Sequence, residues 1–210
     1  MTFTPPPVAP LSDSMARIVA AIRRSMAALH MVHPTHEDPA IVAHAEALAD
    51  GLQGARESAR EWAEDVHATR SPLSGTMNPI APPISYEYDP DNLAVTGRCT
   101  MHIGYQGPPG RVHGGHVAAI LDDVLGRTRH LTGRHCVTGT LNIRYEKATL
   151  LNAELVAHAR ITEMHDRKFI VTGEITCEGE VTARAEAVFV FLSDEKFTAL
   201  VPGTRVRPTK

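Results

Sequence analysis

The stretch from Gly107 to Asp123 constrains this chain more than any other. Its Gly107-Pro108-Pro109-Gly110 opening breaks any strand that precedes it. Beyond that, Val117, Ile120, Leu121, Val124 and Leu125 recur at helical spacing and make one apolar face. Gly114 and Gly115 stand where the helix begins, so backbone N–H groups lie uncovered at the positive end of its dipole. About two turns further on, the same helix carries Asp122 and Asp123. One short element thus offers an oxyanion-binding start and an acid/base residue.

Around this helix the hydrophobic period is two rather than 3.6. Ile84 to Asp89 and Leu93 to His102 read as strands about a Pro90-Asp91-Asn92 turn. Cys136 to Tyr145, Ala153 to Met164, Phe169 to Cys177 and Val181 to Leu192 read as four more. Short joints between successive strands predict an antiparallel meander. The helix runs to about Thr128, with Gly126 loosening its end. An apolar helix among such strands must be wrapped by a curved sheet, so the expected class is α+β.

The flanking segments differ in kind. Residues 1–11 are Pro-rich and are expected to be disordered or extended. Residues 12–70 form a helical N-terminal extension. Met15, Ile18, Val19, Ile22, Met26 and Leu29 line one face of its first helix, capped by Ser12 or Asp13. Asp38-Pro39 starts a second helix, or a pair broken at Gly51 and Gly54, that runs to about Arg70, with Trp62 and Val66 continuing its apolar face. His30, His33 and His36 are spaced by three, but Pro34 disrupts the helix that would align them, so they read as a polar loop and no metal site is expected. Residues 71–83 are a Pro/Gly/Ser-rich linker, 84–193 a domain with its own pattern, and 194–210 a polar tail. The N-terminal helices are therefore expected to be accessory.

A net charge of −3 gives no sign of nucleic-acid binding. No apolar run approaches the roughly 20 residues a membrane-spanning helix needs. The first residues lack a basic and then apolar leader pattern, and the three cysteines, Cys99, Cys136 and Cys177, are odd in number and scattered. The expected setting is the reducing cytoplasm.

His113-Gly114-Gly115, with Asp122 nine residues after the histidine and Val137-Thr138-Gly139-Thr140-Leu141-Asn142-Ile143-Arg144-Tyr145 following, resembles the hotdog-fold acyl-CoA thioesterases of the PaaI and 4-hydroxybenzoyl-CoA thioesterase type. The resemblance covers roughly residues 82–193. It implies a hotdog fold and hydrolysis of a thioester to free acid and coenzyme A, with no cofactor because coenzyme A belongs to the substrate. In that family the position of Asp122 activates water or attacks the thioester directly, and either role suits a carboxylate with a raised pKa. Asp123, about 100° round the helix, is its rival. Gly114 and Gly115 would supply the N–H donor for the thioester oxygen, a contribution worth ~10²–10³ in rate. Thr138 matches a Ser or Thr that helps hold the water. His113 shapes the turn. Gln106 lies near, though one residue out of register with, an Asn that contacts the carbonyl in some relatives. His116 replaces a small or apolar residue and either lines the acyl pocket or faces solvent.

Gly114 and Asp122 are eight residues apart on one helix, about 12 Å of rise. Reacting atoms must come within about 3–3.5 Å. One helix cannot bring both groups to one carbonyl, whereas two antiparallel copies can. A site shared across a homodimer, alone or in a dimer of dimers, is expected. The other function open to the chain is a non-catalytic acyl-CoA-binding or regulatory protein of the same fold, which has no need of Asp122.

Overall fold

The computed structural model describes residues 3–5, 11–58 and 71–200. Six strands make one antiparallel sheet: β1 (Ser85–Asp89), β2 (Ala94–Thr100), β3 (Cys136–Tyr145), β4 (Glu154–Met164), β5 (Lys168–Cys177) and β6 (Glu180–Phe191). Their order is β1-β2-β4-β5-β6-β3. Helix α3 (Gly114–Arg127) lies across the inner face and buries the five residues whose spacing predicts it, Val117, Ile120, Leu121, Val124 and Leu125. Leu155, Ala157 and Ala159 of β4, Val171 and Ile175 of β5 and Ala183 and Ala187 of β6 face the same core. Two glycines let helix and sheet approach. A Cβ on Gly97 would lie 2.8 Å from Val124 Cγ2, and one on Gly173 would lie 2.7 Å from Leu125 Cδ1 and 2.8 Å from the His158 carbonyl oxygen. This is the expected hotdog arrangement, a sheet curled round one long helix.

The sheet is not a simple meander. β4, β5 and β6 follow one another, but β3 lies at the far edge beside β6, and β4 pairs with β2 instead. The connection between β3 and β4, residues 146–153, is no tight turn. Val112 N–H donates to the Thr149 carbonyl (2.9 Å) and Thr149 Oγ1 donates to Thr182 Oγ1 (2.9 Å), so this segment crosses the end of the domain as packed structure.

The first helix, α1 (Asp13–Leu29), is capped by Ser12, whose Oγ accepts from Met15 N–H at 3.2 Å. The second, α2 (Pro39–Ser58), opens as the Asp38-Pro39 pair predicts, with Asp38 Oδ1 accepting from Ala40 N–H at 2.9 Å. Its expected continuation through Trp62 and Val66 lies outside the described residues, as does most of the expected N-terminal tail. A short helix α4 (Arg129–Thr132) follows α3 and ends at Gly133, whose φ of 65° needs glycine. Residues 194–200 are not simply a polar tail: they form helix α5 (Asp194–Leu200), started by Ser193, whose carbonyl accepts from Phe197 N–H at 2.9 Å.

Residues 71–83, the expected linker, are tied both to α1 and to the domain that follows. Arg23 of α1 donates to the carbonyls of Asn78 (3.1 Å), Pro79 (3.3 Å) and Ala81 (3.3 Å). Ala81 is fully buried and its carbonyl also accepts from Tyr105 OH at 3.2 Å. Proline and glycine mark turns in a sequence, but they do not say whether a turn packs.

Candidate active site

The start of α3 is tightly built. Gly110, at φ 72°, closes the turn before it, and Gln106 Oε1 accepts from Gly110 N–H at 2.9 Å. The Gln106 amide oxygen is thus engaged in holding the turn. His113 is the N-cap: its Nδ1 accepts from Gly115 N–H at 3.0 Å, and its backbone N–H donates to the Tyr105 carbonyl at 2.9 Å. Gly115 N–H is therefore already satisfied. Gly114 N–H has no partner among the described residues, while the Gly114 carbonyl accepts from Tyr145 OH at 3.0 Å. Of the two glycines, Gly114 is the one with a donor to offer. His116 is half-buried and stands edge-on to the Tyr105 ring (5.0 Å, 88°). Burial and the neighbouring His113 lower its pKa, which favours the neutral ring.

Two turns along, the adjacent carboxylates differ sharply. Asp123 accepts from Tyr86 OH, from Ser74 Oγ at 3.1 Å and from Arg127 Nε at 2.9 Å. Arg127 also stacks over the Tyr86 ring at 3.6 Å and donates to Tyr88 OH at 3.2 Å. Burial, and then the Asp123 charge, push the Tyr86 phenol well up, so it stays a donor. Asp122 makes no hydrogen bond or ion pair among the described residues. Burial first, and the Asp123 carboxylate second, raise its pKa above the ordinary carboxylate range. An unpaired, half-buried carboxylate is costly as structure and useful as a base.

Asp122 opens into a cleft of about 440 Å³, within the range of small-molecule sites. Thr138 of β3 lines it, beside Val137 and Cys136. Phe189 and Ile84 add apolar surface, and Ser71, Leu73, Ser74 and Thr76 line it as well. His130 of α4 lies in it as well. A larger hollow of about 670 Å³ sits on the sheet's outer face, but its charged residues include the mutually bonded Arg184 and Glu174, and neither Asp122 nor Thr138 reaches it.

Asp122 and Thr138 are thus brought together. His113, Gly114, Gly115, His116 and Gln106 are not among the residues lining that cleft. Gly114 sits instead at the other end of α3, against Tyr145 at the other end of β3. Sequence reading missed Ser74, Tyr86, Arg127 and His130. Only Arg127 carried a signal, four residues after Asp123.

The fold and this site define a hotdog thioesterase-type protein. The profile of the thioesterase superfamily matches residues 109–184. A solved thioesterase superfamily protein is 31% identical with a TM-score of 0.75, over 89% of this chain and 97% of its own. This chain belongs to the thioesterase superfamily. That match extends well beyond 84–193, so the relative shares part of the N-terminal extension. Human acyl-coenzyme A thioesterase THEM5 is 30% identical over 87 residues, 41% of this chain and 35% of its own length. Mouse acyl-coenzyme A thioesterase THEM4 is 36% identical over 98 residues, 46% of this chain and 41% of its own. The matches therefore span well under half of those curated relatives. No helix among the described residues is long and apolar enough to cross a membrane.

Proposed function

We propose that this protein hydrolyses acyl-CoA thioesters to free acid and coenzyme A, at sites shared between two copies of the chain. The observation that carries the proposal is Asp122, an unpaired carboxylate of raised pKa facing a cleft that Thr138 also lines, beside an Asp123 that is fully engaged. Family membership and the relatives' thioesterase names support the same chemistry. Asp122 takes a proton from water as the water oxygen bonds to the thioester carbonyl carbon, with Thr138 holding that water. The carbonyl oxygen gains negative charge and accepts from Gly114 N–H. The intermediate then collapses, the C–S bond breaks, and coenzyme A leaves as the thiolate. A non-catalytic binder has no use for a carboxylate held unpaired.

Sharing is supported by β3. This ten-residue edge strand pairs on one side with β6 and on the other with no described strand. Val137 and Tyr145 are 39% and 54% exposed. A long exposed edge invites another strand. If two β3 strands pair antiparallel about the midpoint between Thr138 and Tyr145, each chain's Asp122 and Thr138 meet the partner's Gly114 and Tyr145. The three cysteines are free and buried, which suits a reducing compartment such as the cytoplasm.

Complementation tests the arrangement. Gly114→Pro removes the unpaired N–H at a first helical position, where proline is tolerated, and the nearest atoms to an added Cβ there belong to Tyr145, at an ordinary contact distance of 3.7 Å. Asp122→Asn removes the base. Each variant alone should be nearly inactive. After subunit exchange about half the dimers are mixed and each has one intact site, so activity should return to roughly a quarter of wild type. Confirmed exchange between folded parents without recovery would rule out sharing. Absence of thiol release by the wild type across an acyl-CoA panel would rule out the hydrolysis.

A further inference from the structure

The cleft beside Asp122 has a direction as well as a volume. Asp122, Gly126 and His130 follow one another at four-residue intervals along its helical wall. Thr128 joins α3 to α4 with helical dihedrals (φ −60°, ψ −21°), so the rise continues through the junction. Eight residues of helix make about 12 Å. Midway, Gly126 contributes no side chain, and a Cβ built there would meet nothing within 4 Å. Leu73, Ile84, Val137 and Phe189 supply apolar surface.

The ring at the far end is uncharged. Burial first, then the Arg129 and Arg127 charges, push the His130 pKa down to about 4, so the ring is neutral at physiological pH. It lies edge-on to Tyr88 at 6.3 Å. Asp123 and Arg127 engage each other, while Arg129, a half-buried residue, also lines the cleft beside His130. The apolar walls and the neutral ring suit a chain that ends in methyl.

We infer that the cleft is a channel for apolar acyl chains of medium length, running from Asp122 over Gly126 to His130, and that the missing side chain at Gly126 sets how long a chain it accepts. The inference rests on the proposed acyl-CoA hydrolysis and names its substrate class. Twelve ångströms is close to the extended length of an octanoyl or decanoyl chain and well short of palmitoyl.

The test compares wild type with Gly126→Leu in the full chain, over acetyl-, hexanoyl-, decanoyl- and palmitoyl-CoA, by free-thiol release. Wild-type kcat/KM should peak at hexanoyl or decanoyl and fall at palmitoyl. In Gly126→Leu the ratio of decanoyl to acetyl kcat/KM should fall at least ~10-fold, because each methylene that loses its place lowers transition-state binding. Leucine is the better helix former, so the variant's thermal midpoint should not fall. Should it nevertheless misfold, Gly126→Ala decides by the same ratio, with about a threefold decrease expected. An unchanged ratio in a folded variant, or a wild-type rate that climbs on to palmitoyl-CoA, overturns the channel.

Calorimetric binding separates this from the chemistry. Decanoyl-CoA should bind Asp122→Asn at least ~10-fold more tightly than acetyl-CoA, from the added buried methylenes, and Gly126→Leu on that background should erase the difference. That pattern in a protein that hydrolyses nothing would keep the channel and overturn hydrolysis. Hydrolysis with a chain-length profile that neither substitution moves would do the reverse.

Discussion

At Asp122 the carboxyl proton is held more tightly in the folded chain than in the unfolded one, because burial and then the Asp123 charge disfavour ionisation. The sign for stability follows. Such a group favours folding at acid pH and weakens the fold once pH has risen through its raised pKa. Asp122→Asn should therefore abolish turnover yet raise the thermal midpoint at pH 7, with the gain shrinking in acid, where wild-type Asp122 is already protonated. Melting curves at the two pH values check this. If Asp122 is the base it must be ionised, so kcat/KM should rise with pH along a limb whose midpoint lies above the ordinary carboxylate value. A limb at the ordinary value would count against Asp122 as the base. Asp123→Asn should behave in the opposite way. Asp123 and Arg127 are only 14% and 18% exposed, so removing that charge leaves Arg127 partly buried without its partner, a loss on the order of 3 kcal/mol by urea denaturation. The offset from His113 separates the two aspartates in the sequence only by resemblance. The physical difference, which residue has partners, depends on Ser74 and Tyr86, 49 and 37 residues away along the chain, and no local pattern records that.

Among the elements, α3 and the strands were legible, their order only in part. The period of five apolar residues gives α3 and its buried face, and the alternating runs give all six strands to within a residue or two, because each has one face in the core. The position of β3 was not legible. Loop length suggested a neighbour of β4, whereas the 146–153 segment carries β3 to the far edge through contacts of Val112 and Thr182 that are remote in sequence. Gly173 is a second silent feature, since a glycine within a strand reads as weakness until the helix above it is seen. Gly173→Ala should cost about 2 kcal/mol, as overpacking does, because the new methyl meets both Leu125 and a fixed backbone carbonyl. Urea titration checks it, and a neutral result would mean that α3 can shift outward.

For the whole molecule, the segment at 71–83 matters more than its composition suggests. Arg23 anchors it to α1, and Ser74 ties it to Asp123, so the N-terminal extension holds one wall of the cleft. The three carbonyl contacts predict that Arg23→Ala loses about 2 kcal/mol and raises KM more than it lowers kcat, read by thermal melts and steady-state rates. An unchanged KM would leave the extension in the accessory role expected from the sequence. A chain beginning at Pro79 would likewise lack Ser71 to Thr76 and is expected to bind acyl-CoA weakly. The open edge of β3 carries a different consequence. If each site takes its base from one copy and its oxyanion donor from another, a lone chain has no working site at all. Turnover per chain should then collapse on dilution, and below the dissociation constant of the pair the rate should grow with the square of protein concentration. The amount of protein in the compartment, rather than any bound regulator, would set whether the thioesters are cleaved.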